Sequence, residues 1–288
     1  MFIVCRQSPL FRSVYIFTYL FMLQTHSSKT GKRYQNKSMI PKRVNILNIP
    51  IDNIGMRELI ERLKAGGVVF TPNVDHLIKL QKDREFYHVY QNADYRVCDS
   101  QLILFASRFL GQPIREKVSG SDLFPAFYRR YGNDEAVKIF LLGGLEGVAE
   151  RARSNINSKV GRNMVVETYS PPFGFEHDPI ECQKIIDLIN NSGANVLAVG
   201  VGAPKQEKWI VRHRYSLNKI STFFAIGATI DFEAGKIKRA PVWMSSVGLE
   251  WLYRLILEPG RLWKRYLVED LGFFILILRQ KFIRFKNF

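Results

Sequence analysis

The chain has few cysteines, no metal-binding motif and no long apolar run, and each absence excludes a class of protein. Its 288 residues contain three cysteines, which are too few for a disulfide-built fold and are typical of a reducing compartment. No CxxC pair or HExxH occurs and the five histidines are scattered, so we expect no zinc site. No apolar run reaches the length of about 18 residues that a membrane-spanning helix needs.

Positive charge is concentrated at the two ends of the chain. Of the net charge of +16, residues 1–38 contribute +6 without any acidic residue, and residues 236–288 contribute +7. The central part is nearly balanced, and 47% hydrophobic residues suffice for a large buried core. Basic, aromatic-rich ends attract an anionic lipid surface or an anionic polymer, although a plain solvated surface stays open. Neither end carries a known nucleic-acid-binding motif, so we expect no nucleic-acid partner.

Composition divides the chain into three segments. Residues 1–38 are predicted to be a separate extension, either poorly ordered or absent if translation starts at Met39. Residues 39–240 are predicted to be the enzyme core, and residues 241–288 a basic amphipathic appendage. In the appendage, the apolar run LGFFILIL (271–278) is followed by RQKFIRFKNF, which is typical of a helix lying on a bilayer surface. The alternative is a helix packed on its own domain or on a partner subunit.

From residue 44 onward, the hydrophobic pattern alternates between strands and helices. This alternation predicts an α/β fold with a mainly parallel sheet and helices on both faces. Strands are predicted at 44–49, 68–71, 95–98, 138–142, 164–169, 196–201 and 223–226. Helices are predicted at 55–65, 76–92, 101–110, 122–131, 148–158, 179–192, 204–213, 249–257 and 262–267, with a break at Pro259-Gly260.

Four polar or glycine-rich segments follow predicted strands, at the edge where parallel sheets bind ligands. They are TPNVD (71–75), DYRVCDS (94–100), LLGG (141–144) and GVGAPKQE (200–207). Asp99 is a candidate general base, Gly143 and Gly144 can bring backbone N–H groups to a phosphate, and Gln206 is a candidate nucleotide contact. Each segment also has a structural interpretation, namely a helix N-cap at Asn73 or Asp75, a helix N-cap at Asp99, a tight turn or a helix start.

The sequence contains no DxD triplet that would hold a metal ion against a sugar diphosphate. A bound diphosphate would then be neutralised by Arg, Lys and backbone amides. Arg254, Arg261 and Arg265 are spaced by seven and four residues, which favours one face of a helix. A nicotinamide site would need an early GxGxxG, whereas Gly200-Val201-Gly202 lies late and lacks the third glycine. An oxidoreductase is therefore disfavoured.

Taken together, these segments resemble the WecG/TagA/CpsF family of glycosyltransferases over residues 44–267. Each segment alone is weak evidence for the family, but the order and spacing of all the segments together are specific to it. The matching segments are TPNVDHL (71–77), ADYRVCDSQ (93–101), EKVSGSDLFPAF (116–127), IFLLGG (139–144), VLAVGVGAPKQEKWI (196–210), AIGATIDFEAGKIKRAP (225–241) and LEWLYRLILEPGRLWKRY (249–266).

The resemblance implies a Rossmann-like fold and an inverting, metal-independent transfer that needs no cofactor. The donor would be a UDP-sugar and the acceptor an undecaprenyl-diphosphate-linked saccharide at the cytoplasmic face of the membrane, in cell-surface or exopolysaccharide synthesis. The appendage would bind the membrane peripherally. The implied base is Asp99. The implied substrate-binding residues are Thr71, Asn73, Gln206, Arg254, Arg261 and Arg265, to which the glycine turn after the fourth predicted strand adds Gly143 and Gly144.

One motif departs from the family pattern and leaves the sugar open. Where the family has a PDG turn, this chain has Cys98-Asp99-Ser100. The transferred sugar is therefore of the N-acetylmannosamine, N-acetylmannosaminuronate or hexose type, and homo-oligomerisation also stays open. Two other classes stay open as well: a soluble nucleotide-dependent oxidoreductase, and a non-catalytic basic scaffold at the membrane surface.

Overall fold

The computed structural model of the protein describes residues 42–237, 239–241, 244, 250–257, 259–264 and 271–283. The predicted extension over 1–38 lies outside this part, so the three-segment division of the chain stays a prediction. In the described part of the chain, no helix combines the length and the apolar composition that crossing a bilayer requires.

The described chain begins with an antiparallel hairpin, so the single strand predicted over 44–49 is wrong. Strand β1 (Arg43–Ile46) pairs with β2 (Ile49–Asp52) through a two-residue turn. In that turn Leu47 and Asn48 have φ angles of 50° and 64°, the left-handed geometry that tight hairpins favour. No glycine marks the turn, because the fully buried Leu47 side chain holds this conformation from within the core.

A six-stranded, fully parallel sheet forms the centre of the fold, as the sequence predicts. The strand order is β4-β3-β8-β7-β5-β6, so the chain crosses over repeatedly between neighbouring strands. All carboxyl ends of the strands consequently lie at one edge, which places the four predicted ligand segments together. The strands are β3 (Gly67–Phe70), β4 (Tyr95–Arg96), β5 (Ile139–Gly143), β6 (Val165–Tyr169), β7 (Val196–Gly200) and β8 (Thr222–Ala225).

Helices cover both faces of this sheet, which confirms the predicted Rossmann-like architecture. The helices are α1 (Met56–Lys64), α2 (Val74–Leu80), α3 (Arg84–Gln91), α4 (Gln101–Phe109), α5 (Gly120–Arg130), α6 (Val148–Val160), α7 (Pro179–Asn191), α8 (Lys205–His213), α9 (Thr229–Glu233), α10 (Glu250–Leu257), α11 (Pro259–Lys264) and α12 (Leu271–Phe282). Alternate strand residues point to opposite faces. Phe70 and Leu197 pack in a core with α2, α3, α4, α7 and α8. Val69 and Ala198 pack in a second core with α1, α5, α6 and α9.

Two predicted helical regions differ from the structure. The helix predicted over 76–92 is two helices, because Asp83 caps α3 by accepting a hydrogen bond from the backbone N–H of Phe86 at 2.9 Å. In the appendage, Pro259 and Gly260 are themselves helical and belong to α11, so the break predicted at these two residues is wrong.

The C-terminal helix α12 is docked on the body of the protein. The side chains of Phe273 and Ile277 are buried in the core that contains α2. Gln280 accepts a hydrogen bond from the N–H of Leu47 at 2.8 Å and donates one to the carbonyl of Asn45 at 2.9 Å. One face of α12 is therefore packed on its own domain, which was the alternative to a wholly bilayer-facing helix.

Candidate active site

The carboxyl edge of the sheet brings the predicted ligand segments into direct contact. The backbone N–H of Asp99 donates to the carbonyl of Pro72 at 3.0 Å, which joins the segments after β4 and β3. Beyond them, the N–H of Val118 donates to the carbonyl of Cys98 at 2.7 Å. Thr71, Asn73 and Asp99 thus belong to one continuous surface of turns.

Thr71 and Asn73 follow β3, and both have structural roles there. Thr71 is buried beside Gly120, where a Cβ atom would lie 3.2 Å from the Thr71 hydroxyl oxygen. Asn73 caps α2 because its Oδ1 accepts a hydrogen bond from the N–H of His76 at 3.1 Å. The N-cap interpretation of Asn73 is therefore confirmed, and substrate binding by either residue stays a prediction.

Asp99 does not cap the helix that follows it. The N-cap of α4 is Ser100, so the capping interpretation of Asp99 is wrong. The half-buried carboxylate lies within electrostatic reach of two buried groups. The pKa of Tyr90 is raised well above its ordinary value, chiefly by burial and then by the negative charges of Glu207 and Asp99. Burial also raises the pKa of the adjacent Cys98 thiol to about 12, so that Cys98 stays protonated beside the carboxylate.

The glycines that end β5 and β7 are required by close backbone packing. Gly143 has a φ of 128°, and a Cβ atom there would lie 2.5 Å from the carbonyl oxygen of Gly200. A Cβ atom on Gly200 would in turn lie 2.7 Å from the carbonyl oxygen of Gly227. The tight-turn interpretation of Gly143-Gly144 therefore holds, and phosphate binding by their N–H groups stays a prediction.

The side-chain amide of Gln206 connects two turns of the site by hydrogen bonds. Its Oε1 accepts a hydrogen bond from the N–H of Gly227 at 3.1 Å, and its Nε2 donates to Oε1 of Glu207 at 2.8 Å. Glu207 is fully buried, which raises the pKa of its carboxyl to about 7, and its Oε2 has no hydrogen-bond partner among the described residues. The sequence singled out Gln206 but not the buried acid beside it.

The predicted arginines are only partly within the described structure. Arg254 lies on α10 and Arg261 on α11, whereas their side chains and the whole of Arg265 lie outside the described residues. Their contact with a diphosphate therefore stays a prediction. Among the described residues, no group of three or more His, Cys, Asp or Glu side chains is placed to hold a metal ion.

Sequence reasoning missed a charged cluster at the beginning of α5. Arg239 donates hydrogen bonds to Asp122 and, at 3.3 Å, to the hydroxyl of Ser121. Ser119 caps the helix and donates to Asp122 at 2.6 Å. Both halves of the cluster lie in segments that carry the family resemblance, but they are 117 positions apart, and the sequence alone gives no reason to pair them.

A cavity of about 480 Å³ lies at the opposite, amino-terminal edge of the sheet, beside Gly67 and Asp94. A smaller one of about 270 Å³ lies along α8, beside Trp209 and Glu176. Neither contains a predicted site residue. The candidate site is thus a surface of turns at the carboxyl edge, where open parallel sheets bind their ligands.

A parallel α/β sheet with a carboxylate, a buried amide and glycine turns at its carboxyl edge is the architecture of the Rossmann-like class of proteins, which bind their ligands at this edge. Within that class, the family model described as glycosyl transferase WecG/TagA/CpsF matches residues 44–287, so the chain belongs to this family. The match includes α12, which lies beyond the resemblance noted over 44–267.

A curated relative from Bacillus subtilis (strain 168) agrees with the family match. It is 31% identical over 229 residues, which cover 77% of this chain and 86% of the relative. Its name is N-acetylglucosaminyldiphosphoundecaprenol N-acetyl-beta-D-mannosaminyltransferase.

Proposed function

We propose that the protein is an inverting, metal-independent glycosyltransferase that uses a UDP-sugar donor. It transfers an N-acetylmannosamine-type sugar to an undecaprenyl-diphosphate-linked acceptor that carries N-acetylglucosamine, in the synthesis of a cell-surface polysaccharide. The relative's activity supports this sugar and this acceptor. The observation that carries the proposal is the placement of Asp99 at the carboxyl edge of the sheet, in a chain that belongs to a glycosyltransferase family.

In the proposed reaction, Asp99 acts as the general base. Its carboxylate takes the proton from the acceptor hydroxyl, and that oxygen attacks the anomeric carbon from the face opposite UDP. The bond between the anomeric carbon and the diphosphate oxygen breaks, and UDP leaves with the electron pair. The geometry suits this role because Asp99 lies at the carboxyl edge of the sheet and is only half-buried.

The leaving diphosphate gains negative charge and needs cations or N–H donors around it. In the proposal, the backbone N–H groups of Gly143 and Gly144 and the side chains of Arg254, Arg261 and Arg265 fill this role. Thr71, Asn73 and Gln206 would contact the nucleotide or the sugars.

The protein is proposed to act at the cytoplasmic face of the membrane, bound peripherally, because a polyisoprenyl acceptor cannot leave the bilayer. Support comes from the outer face of α12, where apolar side chains are exposed next to Arg279 and Lys281. The exposed apolar residues of α12 and the turn after it are Ile275, Leu278, Phe282 and Ile283.

A donor screen tests the proposal. Purified full-length protein is incubated with an N-acetylglucosaminyl-diphosphate lipid and a panel of UDP-sugars, and UDP release is measured. We expect release from UDP-N-acetylmannosamine that depends on the acceptor. Acceptor-dependent release from another UDP-sugar instead would retain the reaction class and change the sugar. Release from none of them would overturn the proposal, and a parallel titration with NAD would then test the oxidoreductase alternative.

A further inference from the structure

Arg239 is held at the carboxyl edge of the sheet by two side chains of α5. Its guanidinium donates to the carboxylate of Asp122 and to the hydroxyl of Ser121 at 3.3 Å. About half of the Arg239 side chain remains exposed to solvent. The guanidinium is therefore fixed in position while still offering N–H groups to a ligand.

This position adjoins the residues proposed to bind substrate. Gly120, which precedes the two partners of Arg239, lies against Thr71 and against the carbonyl of Ala225 at the end of β8. On the other side, Val118 is hydrogen bonded to Cys98, next to Asp99. The short segment that holds Arg239 thus runs between the ends of β3, β4 and β8.

The charge of Asp122 holds the Arg239 guanidinium in place. Burial opposes ionisation of Asp122, but hydrogen bonds from Ser119 and Arg239, together with the charges of Arg239 and Lys117, keep its pKa below the ordinary value. Asp122 is therefore ionised at neutral pH and pairs with Arg239 by charge as well as by a hydrogen bond. An anion that approaches this part of the edge meets a fixed, planar guanidinium suited to phosphate oxygens.

We propose that Arg239 is a diphosphate-binding residue of the candidate site, and that Asp122 and Ser121 position its guanidinium. The ligand is the diphosphate of the UDP donor. The inference rests on the proposed function and adds a cation that is independent of Arg254, Arg261 and Arg265. The same chemistry occurs in the lipid diphosphate of the acceptor, so the experiment has to separate the two sources.

The test compares two arginine variants in binding experiments. Arg239→Ala removes the proposed contact, whereas Arg130→Ala removes a similarly exposed arginine that pairs with Glu61 at the opposite end of the same helix. Affinities for UDP, uridine and farnesyl diphosphate are measured by calorimetry on the full chain. Melting temperatures of both variants are checked first, and we expect them within a few degrees of the wild type because both ion pairs are exposed.

We expect Arg239→Ala to weaken UDP binding about tenfold or more and to leave uridine binding unchanged, since only the diphosphate contact is lost. Arg239→Lys should recover part of the loss, and Arg130→Ala should bind UDP like the wild type. A loss confined to farnesyl diphosphate would support a diphosphate site but assign it to the acceptor.

The inference is overturned if Arg239→Ala binds both diphosphates normally, or if it weakens uridine as much as UDP. Such a result with an active wild-type enzyme would leave the proposed function intact. A wild type that does not bind UDP would instead refute the proposed donor, and the farnesyl diphosphate measurement would still decide whether Arg239 binds a diphosphate.

Discussion

In the proposed reaction, the Asp99 carboxylate acts as the general base. Replacing Asp99 with asparagine keeps the shape of the side chain but removes the base. We expect Asp99→Asn to lower kcat by about 10²–10⁴-fold, the usual contribution of a positioned base. Affinity for UDP should stay unchanged because, in the proposal, other residues contact the nucleotide. Steady-state kinetics together with UDP calorimetry measure both quantities.

Asp94, at the other end of the same short strand, provides the matched control. Its carboxylate accepts a hydrogen bond from the N–H of Val68 at 2.8 Å, away from the carboxyl edge. We expect Asp94→Asn to lose some stability and to retain kcat. Equal kcat values for the wild type and Asp99→Asn would contradict the assignment of the base.

The buried carboxyl of Glu207 leads to a prediction about the pH dependence of stability rather than about catalysis. Burial raises the pKa of its carboxyl from an ordinary value of 4.5 to about 7. The folded state therefore binds a proton more tightly than the unfolded chain, and the stabilisation from this proton is lost as pH rises from about 4.5 through about 7. The shift corresponds to a loss on the order of 3 kcal/mol.

Glu207→Gln removes this titration because an amide does not ionise. The difference in unfolding free energy between the wild type and Glu207→Gln should therefore change between pH 5 and pH 8, with the wild type losing stability relative to the variant. Urea unfolding at several pH values measures this difference. Glu181→Gln is the control, since Glu181 is also the third residue of its helix. A pH-independent difference for Glu207→Gln would contradict the raised pKa.

At the level of elements, α12 stabilises the turn between β1 and β2. Gln280 bonds β1 at Asn45 and the turn at Leu47, and Gln81 of the α2 C-terminus donates to the carbonyl of Leu47 at 3.0 Å. We expect Gln280→Ala to lower the free energy of unfolding by about 1–3 kcal/mol, because it leaves the part-buried backbone N–H of Leu47 without its partner. Arg279→Ala changes the exposed neighbour and should stay within about 0.5 kcal/mol of the wild type. Urea unfolding measures the free energy of unfolding of both variants. Equal losses in Gln280→Ala and Arg279→Ala would contradict a stabilising role of Gln280.

The elements also show what the sequence can predict. Buried parallel strands such as Ile139–Gly143 are short apolar runs bounded by turn residues, so their place and direction were predictable. The break at Asp83 was missed because the hydrophobic pattern continues across it and only a capping side chain marks it. The hairpin was missed because Leu47 adopts a positive φ for a tertiary reason, the burial of its side chain.

For the candidate site, the sequence segments predicted that it lies at the carboxyl edge of the sheet, but they did not predict the side-chain contacts within it. Asp99 and Gln206 were identifiable because both follow a strand. Glu207 was not identified because its burial is set by the tertiary packing around it. Asp122 was not identified because its partner Arg239 lies 117 positions away in the sequence. The pairing of Asp122 with Arg239 is decided by the path of the chain after α9, and no local pattern encodes that path.

On the scale of the whole molecule, the two faces of α12 have different surroundings, because one is buried against the body and the other is exposed. Phe273, Ile277 and Gln280 face the body, whereas Ile275, Leu278 and Phe282 lie on the outer face. Deleting residues 242–288 would remove both faces at once and would expose part of the core. Loss of membrane binding after that deletion would therefore not distinguish an unstable protein from a missing membrane contact.

Point variants on the outer face separate these effects. Phe282 and Ile283 are 75% and 65% exposed, so replacing both with glutamate leaves the docked face intact. Each large apolar side chain that enters a bilayer contributes about 1.5–3 kcal/mol, and the new charges are repelled by anionic lipid. We expect Phe282→Glu/Ile283→Glu to lower the affinity for anionic vesicles at least about a hundredfold. Ile180→Glu, the same change at an exposed isoleucine of α7, should leave it unchanged. Co-sedimentation with vesicles of phosphatidylglycerol measures all three proteins, and a double variant that sediments like the wild type would place the membrane contact elsewhere on the molecule.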